Sequence, residues 1–89
     1  MSIFGDSEAD QRDYGFAFAA LKSSMYLWDV LARSGQLSMA DAIRHSELVR
    51  DGLEIVPERY LGKAGWEAVE SSLKQIEEQA RLNYGKDRA

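Results

Sequence analysis

Residues 14–32 read YGFAFAALKSSMYLWDVLA, and the fold turns on how many sides of this segment are apolar. At 100° per residue a helix through it carries two apolar stripes. Tyr14, Phe18, Leu21, Met25, Trp28 and Ala32 form the first. Phe16, Ala20, Leu27 and Leu31 form the second, on roughly the opposite side, with Val30 beside them. Lys22, Asp29 and Arg33 crowd into one narrow strip, with Asp29 and Arg33 spaced i,i+4. A helix on one side of a small bundle needs a single apolar face, and this one has nearly two. It is not a transmembrane span, because Lys22, Asp29 and the Ser23-Ser24 pair break it well before ~18 uninterrupted apolar residues.

Outward from this segment the chain reads as one all-α domain over residues 1–89. Residues 1–6 form a loose lead-in, and Ser7 suits an N-cap ahead of Glu8 and Asp10. The first helix then covers 7–34. Gly15 is its weak point, costing up to ~1 kcal/mol against alanine. Gly35 supplies the left-handed residue that ends such helices. Ser38 is a second N-cap, and a helix over 38–51 stops before Gly52. Its amphipathicity is poor: Met39, Ala42, Ile43, Ser46 and Val49 share a side, with Leu48 opposite. Leu53–Val56 reads as extended, because a residue before proline avoids the helical region. Pro57 starts one short helical turn within the 53–62 connector. The third helix, 64–84, is the cleanest: Trp66, Val69, Leu73, Ile76, Ala80 and Tyr84 recur at three- and four-residue steps. Glu70 with Lys74, and Glu77 with Arg81, are i,i+4 pairs that mark its solvent face. Residues 85–89 are a polar tail.

Composition narrows the functions. At 89 residues the core is thin, which makes help from a partner plausible. Cysteine is absent, which removes disulfides, thiolate metal sites and thiol nucleophiles. The net charge of −4 argues against broad nucleic-acid binding and against anionic membrane surfaces. The first ten residues lack the pattern of a secretory signal, so the expected location is cytoplasmic.

Candidate chemistry is sparse. His45 is the single histidine, with Asp41 four residues before it and Glu47 nearby. Helical carboxylate metal sites need Glu-x-x-His on two helices, and this chain has none. The pair reads as surface charge and His45 as partly exposed, without metal. No Gly-x-Ser-x-Gly occurs, so no catalytic residue, metal ligand or cofactor is expected, and the chain does not read as an enzyme.

Two local likenesses remain. Gly62-Lys63-Ala64-Gly65, opening a helix, resembles the GxxG clamp of KH domains, whose backbone amides grip a nucleic-acid strand. KH domains need three strands, which this chain does not supply, and the net charge has the wrong sign. The stretch from Leu31 to Arg50 is loosely similar to a DNA-binding helix-turn-helix, but Arg44, His45 and Arg50 are interleaved with Asp41, Glu47 and Asp51.

The chain therefore reads as a non-enzymatic interaction module: a homodimer that serves as adaptor or regulator of a larger protein partner. Its shared surface is the second stripe, Phe16, Ala20, Leu27, Val30 and Leu31. A monomer in which the later helices wrap both faces is the plainer alternative. A ligand-binding bundle, with Trp28, Trp66, Met25 and Tyr26 around a pocket, is an alternative function. Contact with nucleic acid through the GKAG loop is a third.

Overall fold

The computed structural model describes residues 8–86, with side chains from residue 11 onward. The Ser7 cap, the 1–6 lead-in and most of the polar tail lie outside the described residues. Three helices make up the fold: α1 (Glu8–Arg33), α2 (Met39–Leu53) and α3 (Lys63–Asn83). Among the described residues there is no strand. No helix among them is long and apolar enough to cross a membrane.

Each helix end has a chemical cause. α1 passes through Gly15 and closes in a Schellman motif. Gly35 takes φ +81°, its N–H bonds to the Ala32 carbonyl, and the Gln36 N–H bonds to the Leu31 carbonyl. At the start of α2 the Ser38 hydroxyl accepts from the Asp41 N–H at 3.1 Å. α2 does not stop at Gly52. It continues to Leu53, whose side chain is buried, and Gly52 is an ordinary helical residue. Leu53 therefore belongs to α2, and a turn follows in which the Val56 N–H bonds to the Leu53 carbonyl. Pro57 opens the expected helical turn, its carbonyl accepting from Tyr60 and Leu61.

The contacts set the directions. Tyr14, early in α1, stacks on Tyr60 just ahead of α3, with ring centroids 4.5 Å apart. At the other end the Gly85 N–H donates to the Gly35 carbonyl at 2.9 Å. α1 and α3 therefore run parallel, and α2 returns antiparallel to both, as two short connections require.

The core forms two clusters. Ala32, Leu37, Ala42, Ile76 and Ala80 make one, with Met25 and Trp28 against it. Val49, Leu53, Leu61 and Leu73 make the other, with Leu21, Met25, Val56, Trp66 and Val69 against it. The α3 stripe thus packs on the Tyr14–Ala32 stripe of α1. Tyr84 departs from it: the residue lies past the end of α3 and is half-exposed.

The buried side of α2 also differs from the sequence reading. Ala42, His45, Ser46, Val49 and Leu53 are buried, while Met39 and Ile43 are exposed. Leu53 is the cause. Once it anchors α2 beside Leu61 and Leu73, the buried arc centres on Ala42, Ser46, Val49 and Leu53. That takes in His45 and leaves Ile43 at the edge.

Candidate functional site

The two stripes of α1 meet different fates. The first faces the rest of the fold: Ala32 is buried, and Tyr14, Phe18, Leu21, Met25 and Trp28 are half-buried. The second is open to solvent: Phe16 is 75% exposed, Leu27 61%, Val30 44% and Leu31 37%, and Ala20 is exposed with them. Ala19 and Ser23 complete the face, which carries no charged residue from Phe16 to Leu31. Arg12 and Asp13 sit at its N-terminal end, and the Asp29–Arg33 ion pair, 2.8 Å, runs along the neighbouring strip. Because Ala19 and Ser23 are small, the surface dips there between Tyr26 and Leu27, with Lys22 at its edge.

A second concavity lies on the other flank of α1. α1 and α2 both pack on α3 but splay apart from one another toward the Gly52 end, leaving an apolar groove of about 570 Å³. Tyr14, Phe18 and Leu21 line its α1 side, Val49 and Leu53 its α2 side, with Ile55 at the rim. Trp28 and His45 close one end, their rings stacked at 4.4 Å and 18°.

His45 overturns the expectation of a partly exposed residue paired with Asp41. It is only 5% exposed, and among the described residues neither Nδ1 nor Nε2 has a hydrogen-bond partner. Asp41 is exposed, and its backbone N–H is the donor in the α2 cap. Among the described residues no group of three or more His, Asp or Glu side chains comes together.

Burial makes the charged imidazole costly, so the His45 pKa lies below its ordinary 6.5. The unfolded chain takes up this proton more readily than the folded one. The stability that His45 contributes is therefore full above about pH 6.5 and is lost as pH falls through its folded value. Glu70 and Glu78 belong to more acid pH, because hydrogen bonds from Arg50 and Arg81 hold them below the usual carboxylate range. Urea unfolding at pH 8, 7, 6 and 5 should show a plateau and then a decline, and His45→Phe should remove the part of the decline above pH 5. A wild-type midpoint constant from pH 8 to 5 would mean that His45 is not buried.

The third helix holds a further departure. Glu70 does not serve the solvent face with Lys74. It takes two bonds from Arg50 of α2, from Nε at 2.7 Å and Nη2 at 2.8 Å, the parallel geometry that makes Arg–carboxylate pairs specific. Glu77 accepts from the buried Ser46 hydroxyl at 3.1 Å, and Arg81 turns to Glu78. Sequence spacing alone could not reveal this, since Arg50 and Ser46 approach only after α2 folds back.

The remaining candidates separate. Gly62 is the N-cap of α3 and Lys63 its exposed first residue. A Cβ on Gly65 would lie 2.7 Å from the Leu61 Cδ1, so this glycine makes room for the buried Leu61. Trp28 lines the groove, Met25 bridges the two core clusters, Trp66 packs beside Leu73, and Tyr26 is exposed elsewhere, so these four do not gather around one pocket. No family model, no characterised protein and no solved structure matches this chain.

Proposed function

We propose that the chain is a non-enzymatic interaction module that works as a homodimer through the outer face of α1, as adaptor or regulator of a larger protein partner. The observation that carries this reading is the open, uncharged stripe of Phe16, Ala20, Leu27, Val30 and Leu31. Lone exposed hydrophobics are common, but a contiguous uncharged stripe over four helical turns marks an interaction surface.

A second copy is the occupant whose shape fits. In an antiparallel pairing with a two-fold axis near Ser23, Phe16 of each chain meets Leu31 of the other, and Leu27 meets Ala20. The dip at Ala19 and Ser23 then receives the opposing Leu27. Arg12 and Asp13 fall at the rim, where charge is tolerated. Such a contact buries roughly 1,000 Å² in total, at the lower bound for a specific interface.

The energetics fit a concentration-dependent dimer. Val30 and Leu31 are already more than half covered. Pairing therefore buries the equivalent of about four full apolar side chains, worth ~6–13 kcal/mol. Association costs ~4–15 kcal/mol. The non-enzymatic part of the reading is supported by His45, the one side chain whose ordinary pKa lies near neutrality, having both ring nitrogens covered.

Light scattering across a dilution series tests the dimer. The mass should climb from one chain toward two between low micromolar and several hundred micromolar. Leu27→Glu should hold it at one chain while helical circular dichroism survives. Wild-type mass that stays at one chain throughout would sink the proposal.

A further inference from the structure

We infer that the groove between α1 and α2 is a binding site for a neutral single-chain amphiphile, its aliphatic chain lying along α1 and its hydroxyl or carbonyl head at His45. The site is separate from the proposed dimer face: the two share no residue, although Ala17 and Ser24 at the groove edge adjoin Ala20 and Leu31.

Three observations carry this. The first is size and shape. At about 570 Å³ the groove falls in the range of small-ligand sites, and it runs along α1 from Tyr14 to Trp28, a span of roughly 20 Å at the helical rise. That suits a chain better than a compact ring.

The second is polarity. Among the described residues the lining is almost wholly apolar, with His45 as its single ionisable side chain besides Tyr14. No described lysine or arginine lines it, so a carboxylate or phosphate head would meet no counter-charge from them. A neutral head suits such a wall.

The third is the histidine itself. Buried polar groups in folded proteins are almost always hydrogen-bonded, and an exception calls for a cause. Neutral imidazole offers one N–H donor and one acceptor nitrogen. In His45 both are covered, and neither bonds to any of the described residues. The ring borders the groove beside the Trp28 stack, so a head group that displaces this wall slightly meets a nitrogen, and a hydroxyl, itself donor and acceptor, can satisfy either.

Gly52 gives the test a clean handle. It lines the groove from inside α2, and a Cβ placed there meets no atom within 4 Å. A larger side chain there starts in open space beside the groove, and it also replaces a glycine in the last turn of α2.

The experiment titrates 1-octanol, sodium octanoate and octane, each below its solubility limit, into the full chain, following the Trp28 indole and His45 ring signals by NMR. Wild type should bind one octanol per chain, and octanoate more weakly. The ratio of octanol to octane affinity should be several-fold to about tenfold higher in wild type than in His45→Leu, the worth of one hydrogen bond. Gly52→Leu should lose both octanol and octane, while Gly52→Ala keeps them. Octanol binding unchanged in Gly52→Leu, an affinity ratio equal in wild type and His45→Leu, octanoate binding tighter than octanol, or no octanol binding at millimolar concentration would each overturn the inference. Light scattering on Gly52→Leu should still show the concentration-dependent dimer, so the two proposals fail independently.

Discussion

Leu73→Ala should lower the unfolding free energy by about 2–5 kcal/mol, the range for truncating a fully buried leucine. The side chain is completely covered and sits where all three helices meet. It shares a cluster with Val49 and Leu53 from α2 and Leu61 from the connector, against which Leu21 and Met25 of α1 pack. The upper half of the range is expected because three independent helices surround the site, and a cavity there cannot close by moving one of them. A domain of this length holds ~4–13 kcal/mol in all, so the loss is a large share of it. Urea denaturation should show a lower midpoint with an unchanged slope. Leu82→Ala, on the exposed side of α3, should move the midpoint far less. An unmoved midpoint in Leu73→Ala would mean that the α3 stripe does not pack on α1.

What could be read from the sequence is what depends on one element at a time. The α3 stripe from Trp66 to Ala80, the Ser38 cap and the Gly35 stop are local patterns, and all three hold in the fold. The parallel course of α1 and α3 follows from short connections. The two-sided character of α1 was also legible, because helical periodicity needs no knowledge of neighbours.

What was not legible depends on neighbours. His45 looks like surface because Arg44 and Glu47 flank it, yet the anchor at Leu53 turns that side of α2 inward. Glu70 and Glu77 have intrahelical partners at ideal spacing, and they bond instead to residues that arrive from α2. The groove was hidden for the same reason. It exists because α2 diverges from α1 past the Trp28–His45 stack, and no residue pattern within α2 encodes that splay. Gly52 looks like a stop signal by its identity. The energy of burying Leu53 outweighs the ~1 kcal/mol penalty of an internal glycine.

Gly35→Ala should cost about 2–4 kcal/mol, more than any other glycine-to-alanine change in the described chain. Two penalties combine there. Gly35 has φ +81°, a conformation that costs an L-residue roughly 1–2 kcal/mol. A Cβ would also lie 2.6 Å from the Asn83 carbonyl oxygen, closer than such atoms approach. That oxygen is backbone at the end of α3, so relief requires α1 and α3 to part where the Gly85 N–H donates to Gly35. Gly85 is the internal control. It has nearly the same conformation, φ +80°, but nothing lies within 4 Å of its Cβ position, so Gly85→Ala should carry only the conformational part, about 1–2 kcal/mol. Gly15→Ala should go the other way and stabilise α1 by up to about 1 kcal/mol, since its Cβ also meets open space and its helix is regular. Chemical denaturation of the three variants side by side separates the effects. Equal losses in Gly35→Ala and Gly85→Ala would mean that the ends of α1 and α3 are not in contact, and with that the parallel packing of the two helices would fall.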